Sequence, residues 1–161
     1  MTSLKIPKTV KIIISDFDGI MTDNCIYIDE KLAISRKINF KDLMAISMLR
    51  KADLNLIFIS GENNPVIDLL TERFNLLENH QNVRPKINVL KAIVEKYNLK
   101  KEEFLYIGDD INDIDCLNFA GTKITVPNST PNVKLVPDIQ ITTATGGNGA
   151  FREVVDCLLD T

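Results

Sequence analysis

The sequence predicts an α/β protein built on a doubly wound parallel sheet, and two observations carry that prediction. Short apolar, β-branched runs alternate with segments of helical periodicity along the 161 residues. Two of those runs end in acidic clusters: Asp16-Phe17-Asp18-Gly19-Ile20-Met21-Thr22 follows the first, and Gly108-Asp109-Asp110-Ile111-Asn112-Asp113 follows Phe104-Leu105-Tyr106-Ile107. In open parallel sheets ligands bind at the C-terminal ends of the strands, where carboxylates beside a buried strand find an open site.

The elements follow in order. Val10-Lys11-Ile12-Ile13-Ile14-Ser15 reads as a fully buried strand over 10–15. Next, Cys25-Ile26-Tyr27-Ile28 and Leu32-Ala33-Ile34-Ser35 flank Asp29-Glu30-Lys31, a β-hairpin with a short polar loop. The hairpin interrupts the alternation, should project over the mouth of the site, and carries more apolar side chains than an exposed flap needs. Helices fit 41–51, 63–74, 86–97, 112–118 and 149–159, and further strands fit 54–59, 76–79, 103–107, 122–126 and 138–141. Leu43, Ile46, Met48 and Leu49 in one helix, and Ile87, Leu90, Ile93, Val94 and Tyr97 in another, form core stripes.

Composition bounds the function. One domain over 1–161, 45% hydrophobic and 25% charged, is an ordinary globular chain with a real core. A net charge of -3 gives no sign of a nucleic-acid partner, and no apolar run has the length of a membrane span. Met1-Thr2-Ser3-Leu4-Lys5 lacks the apolar core of a leader. Cys25, Cys116 and Cys157 are widely spaced, which predicts free buried thiols and a cytoplasmic location. A single histidine, His80, disfavours a histidine-ligated zinc or a Ser-His pair.

Asp18-Gly19 alone reads equally well as a turn after a strand. The second acidic cluster changes that, because two strand ends with carboxylates suggest one shared cation. Asp16 and Asp109 supply hard oxygen ligands suited to Mg2+. An aspartate also serves as nucleophile in phosphoryl transfer, and Asp18 is placed to protonate a leaving alcohol and then activate water. Ser60-Gly61, after Asn55-Leu56-Ile57-Phe58-Ile59, offers a hydroxyl and backbone N–H groups to a phosphoryl group. Lys86 follows Pro85 at a helix start; taken alone it reads as a solvated surface lysine.

In this order the residues resemble the haloacid dehalogenase-like phosphohydrolase superfamily. Its first motif, D-x-D-G-x-x-T, matches Asp16, Asp18, Gly19 and Thr22. The second-motif hydroxyl matches Ser60, the third-motif lysine Lys86, and the fourth acidic cluster Asp109, Asp110 and Asp113. The resemblance implies a HAD-like Rossmannoid fold with Mg2+ held by Asp16, Asp109 and the Asp18 backbone carbonyl. It implies Asp16 as nucleophile, Asp18 as acid and base, Ser60, Gly61 and Lys86 as phosphate-binding groups, and Thr22, Asp110 and Asp113 as supporting residues.

The 44 positions from Asp16 to Ser60 and the 26 from Ser60 to Lys86 leave no room for a cap domain. The chain is most similar to the capless 3-deoxy-D-manno-octulosonate (KDO) 8-phosphate phosphatases and the nonulosonate 9-phosphate phosphatases. The phosphatase-like domain of some acylneuraminate cytidylyltransferases is a further relative. The likeness runs through the hairpin, Ile38-Asn39-Phe40-Lys41-Asp42 and Gly146-Gly147-Asn148-Gly149-Ala150-Phe151-Arg152-Glu153. It implies a homotetramer in which hairpins associate and a neighbouring subunit helps cover each site. Two positions depart from the KDO 8-phosphate pattern: Glu62 and Asn148 stand where arginines are typical. Glu62 looks like the nine-carbon side of the family, which predicts a preference for KDN 9-phosphate. Arg73, 11 residues or about three helical turns beyond Glu62, falls on roughly the same face and could restore one positive charge; its alternative reading is a solvated helix arginine. The expected substrate is a 2-keto-3-deoxy sugar acid phosphate; the alternative is a non-catalytic oligomerisation module.

Overall fold

The computed structural model describes residues 4–160; residues 1–3, the start of the segment read for a leader, and 161 lie outside them. In chain order the elements are β1 (Ile12–Ser15), β2 (Tyr27–Ile28), β3 (Ile34–Ser35), α1 (Phe40–Lys51), β4 (Asn55–Ile59), α2 (Pro65–Phe74) and β5 (Glu78–His80). Then come α3 (Lys86–Lys96), β6 (Phe104–Ile107), α4 (Ile114–Phe119), β7 (Thr122–Thr125), β8 (Gln140–Ile141) and α5 (Ala150–Leu159). Six strands form one parallel sheet in the order β5-β4-β1-β6-β7-β8. β1 is flanked by β4 and β6, so the order in which strands are added switches sides there and opens a crevice at its C-terminal end.

The strands are apolar on both faces because helices cover both. Ile13, Leu56, Phe58, Leu105, Ile107 and Ile124 pack with α1, α2 and α5 residues such as Leu49, Leu70 and Phe151. The alternate positions Ile12, Ile14, Ile57, Ile59, Phe104 and Tyr106 pack with Leu90 and Ile93 of α3 and Cys116 and Leu117 of α4. The two-residue period of a strand thus divides one sheet between two cores.

Several boundaries differ from the sequence expectation, and three of them have a clear local reason. α2 starts at Pro65 rather than 63, because the Asn64 side chain accepts from Val66 N and proline occupies the first turn. It ends at Asn75, which is left-handed at φ 49°, and β5 consequently starts at Glu78 rather than 76. The helix expected over 112–118 is preceded by the 3-10 turn Ile111–Asp113, whose first amide is capped by Asp110, and α4 begins at Ile114.

Asp42, buried on α1, accepts from Gly149 N at 3.1 Å and Arg152 N at 2.9 Å and so ties the start of α5 to α1. That anchor sets the glycine segment before α5 against the first acidic loop. A Cβ at Gly146 would lie 1.8 Å from Gly19 O, and Gly147 N donates to Ile20 O at 2.9 Å. The β2–β3 hairpin stands apart, with Ile26, Tyr27, Ile28, Leu32 and Ile34 all exposed, Leu32 to 79%. The cysteines are free; Cys116 is buried as expected, but Cys25 is exposed because it lies at the start of the hairpin. No described helix is long and apolar enough to cross a membrane.

Candidate active site

Asp16, Ser60 and Asp109 follow the ends of β1, β4 and β6, the three central strands, and this adjacency brings distant sequence segments together. They line a cavity of about 200 Å3 with Asp18, Asn24, Gly61, Glu62, Arg84, Lys86, Asp110 and Asn112. Lys86 is buried to 2% exposure, against the solvated reading of an isolated lysine. Its ammonium sits 2.9 Å from Asp16 Oδ1 and 2.8 Å from Asp113 Oδ1.

Asp113 organises the floor. Its Oδ1 also accepts from Tyr106 OH at 2.7 Å, and its Oδ2 accepts from the backbone N–H of Asp109 at 3.2 Å and of Asp110 at 3.3 Å. Both oxygens are therefore engaged. Burial lowers the affinity of Lys86 for its proton, but Asp113 and Asp16 more than offset this and hold the ammonium above its usual range.

Oxygen atoms of Asp16, Asp109 and Asp113 all lie within 4.8 Å of one another, a spacing that suits one cation. Since Asp113 is already saturated with donors, Asp16 and Asp109 are the carboxylates left to bind one. Three buried aspartates face the single Lys86 ammonium, and the imbalance is visible in their acidities. Burial and then Asp113 raise Asp16 well above the carboxylate range, outweighing its contact with Lys86. Burial, Asp113 and Asp110 push Asp109 up to about 7. An all-oxygen, anion-rich set of this kind fits a hard divalent ion such as Mg2+, which would supply the missing charge.

The first loop is shaped around these groups. Gly19 has φ +87°, and a Cβ there would fall 2.0 Å from Asp109 Oδ2, so the position requires glycine on both counts. Thr22 Oγ1 accepts from Gly19 N and donates to Asp18 Oδ1, each at 3.1 Å. Arg36, just past β3, donates from Nε to the same Asp18 oxygen at 3.0 Å. Asn24 Nδ2 donates to Asp109 Oδ2 at 3.2 Å. The base of the hairpin therefore touches the site through Asn24 and Arg36.

On the opposite wall, buried Ser60 accepts at Oγ from Glu62 N at 3.1 Å. Glu62 Oε1 accepts from Arg84 Nη2 at 2.7 Å. Glu62 precedes the Asn64 cap of α2, so it does not share a helical face with Arg73. Arg73 instead lies 5.4 Å over the Phe74 ring and is absent from the cavity lining. Asn148 accepts from Lys37 Nζ at 2.9 Å.

Residues 58–153, more than half of the chain, match the family described as haloacid dehalogenase-like hydrolase. The chain belongs to the haloacid dehalogenase-like hydrolases. Within this hydrolase family it is 27% identical over 152 residues to the KDO 8-phosphate phosphatase of Haemophilus influenzae, covering 94% of this chain and 84% of that protein. Among solved structures it is similar to the KDO 8-phosphate phosphatase of Moraxella catarrhalis in complex with magnesium, phosphate and KDO. That likeness has a TM-score of 0.88 at 29% identity, covering 95% of this chain and 87% of the other. The cobalt-bound Haemophilus influenzae phosphatase is similar at TM-score 0.86 and 26% identity, over 95% and 89%. The parallel Rossmannoid sheet without a cap domain agrees with the sequence expectation.

Sequence reasoning missed Asn24, Arg36, Arg84 and Tyr106. Arg36 and Asn24 reach the site only through the path of the hairpin, and no spacing rule marks them. Tyr106 carried a signal, as a phenol inside a buried apolar run needs a partner.

Proposed function

We propose that this hydrolase is a Mg2+-dependent phosphomonoesterase that releases phosphate from a 2-keto-3-deoxy sugar acid phosphate. The observation that carries the reading is the Asp16–Lys86–Asp113 cluster facing Asp109 at one strand-end cavity. Asp16 and Asp109, with the Asp18 backbone carbonyl, would hold the ion. When bound, it neutralises phosphoryl oxygens and holds the phosphate in line with the nucleophile.

An Asp16 carboxylate oxygen attacks phosphorus as the ester P–O bond breaks, and Asp18 gives its proton to the departing alcohol oxygen. Asp18 then takes a proton from water, whose oxygen attacks the phosphorus. The Asp16–phosphorus bond breaks, and inorganic phosphate leaves with Asp16 again a carboxylate. Thr22 and Arg36 both bind Asp18 Oδ1, which orients the side chain and leaves Oδ2 to carry the proton. Lys86 and the Ser60-Gly61 turn bind the transferring phosphoryl oxygens.

For the organic part, the curated relatives above are named for the eight-carbon acid. The nine-carbon preference comes from the family likeness at Glu62, and here that carboxylate is paired with Arg84. Both points favour KDO 8-phosphate, with KDN 9-phosphate as the second reading. The exposed apolar hairpin supports assembly as a homotetramer, and the free thiols fit a cytoplasmic enzyme. A retired oligomerisation module would have no use for the cluster around Lys86.

Phosphate release from KDO 8-phosphate, KDN 9-phosphate and neutral sugar phosphates, with Mg2+ and with EDTA, tests the reading. Mg2+-dependent release, fastest on the sugar acids, is expected. No release from any of them would overturn it.

A further inference from the structure

We propose that Arg84 is the receptor for the substrate's carboxylate, with Glu62 holding its guanidinium ready at the rim; this rests on the sugar-acid reading above. The cavity lining holds two cations, Lys86 and Arg84, beside five carboxylates, Asp16, Asp18, Glu62, Asp109 and Asp110. Lys86 is buried between Asp16 and Asp113 and serves the phosphoryl end. A substrate with a second negative group must bring it into this acidic cavity, and Arg84 is the lining cation open to meet it.

The geometry fits that task. The Arg84 side chain is 71% exposed and uses Nη2 to donate to Glu62 Oε1. A guanidinium has five N–H donors in a planar fork, so one such contact leaves an edge for bidentate binding of another carboxylate. It lies beside the Gly61 turn: a Cβ at Gly61 would stand 3.6 Å from Arg84 Nε and 3.4 Å from Asn112 Nδ2. Arg84 thus lies against the turn that follows Ser60, on the same wall as the phosphoryl-binding groups. Glu62 uses one edge of the fork, so an incoming carboxylate shares the guanidinium with it.

The test compares kcat/KM for KDO 8-phosphate and for glucose 6-phosphate, which lacks a carboxylate, with Mg2+ in wild type, Arg84→Gln, Arg84→Lys and Glu62→Gln. In Arg84→Gln the acid-to-neutral ratio should fall about tenfold or more, through KM for the acid, as expected for a lost charge-assisted contact. Arg84→Lys should recover part of it, since it keeps the charge without the fork. Glu62→Gln should raise KM for the acid, because the guanidinium is then no longer held at the rim. A ratio in Arg84→Gln within twofold of wild type, or an equal loss of kcat on both substrates, would overturn the assignment. If instead wild type cleaves glucose 6-phosphate but not the sugar acid, the sugar-acid reading itself fails, and the assignment with it.

Discussion

At the scale of single residues, the site is held by an excess of buried negative charge. Asp109, pushed up to about 7 by burial, Asp113 and Asp110, must ionise to bind a metal. The apparent Mg2+ affinity should therefore fall by up to about tenfold per pH unit below about pH 7, measured by titrating activity with Mg2+ at several pH values. A pH-independent affinity between pH 5 and pH 7 would contradict the raised pKa of Asp109. Stability without metal should run the other way. A carboxylate whose folded value is raised binds its proton more tightly in the native state than in the unfolded chain. Between the unfolded value, about 4, and about 7, stability falls as pH rises. Melting in EDTA should show that fall, and Mg2+ at pH 8 should reverse it. Lys86 illustrates what sequence conceals at this scale: a lysine reads as solvated until the fold places Asp16 and Asp113 around it.

At the scale of elements, loops made the site and helices hold the loops. Gly19→Ala would push a methyl group into Asp109 and require a non-glycine residue at φ +87°. It should raise the Mg2+ requirement at least about tenfold, comparable with the loss of a group that orients a ligand. A wild-type Mg2+ titration in that variant would show that the loop tolerates the change. The hairpin is the other exposed element of consequence. Replacing Ile26 and Ile28 by serine should weaken assembly, read as a loss of mass by light scattering, and should lower activity because the Arg36 and Asn24 contacts start from the hairpin base. Most of these elements were legible from periodicity, since strand runs such as 103–107 and the stripe through Leu90 and Ile93 are strong. The misplaced helix starts lie where side-chain caps decide, at Asn64 and Asp110. Arg73 stays outside the cavity lining, because a face shared with Glu62 requires one continuous helix and Glu62 stands outside it.

For the whole molecule, the order β5-β4-β1-β6-β7-β8 turns four separated sequence motifs into one cavity, and three of them were readable because they follow strand ends, whereas Lys86 opens α3. Contacts that depend on the hairpin's path or on a side chain crossing the mouth, such as Arg36 and Arg84, were not. An assembled enzyme should have a mass near four times 18.1 kDa in solution at micromolar concentration, and a mass near 18.1 kDa would refute the tetramer. The central claim is that Asp16 forms a covalent bond to phosphorus beside a bound Mg2+. Its most direct test is phosphate release from KDO 8-phosphate by wild type and Asp16→Asn at saturating Mg2+, on preparations with matching circular dichroism. The account predicts turnover by wild type and a loss of at least about a thousandfold in the variant, roughly 4 kcal/mol of barrier. A variant that keeps a tenth of the wild-type rate would contradict it.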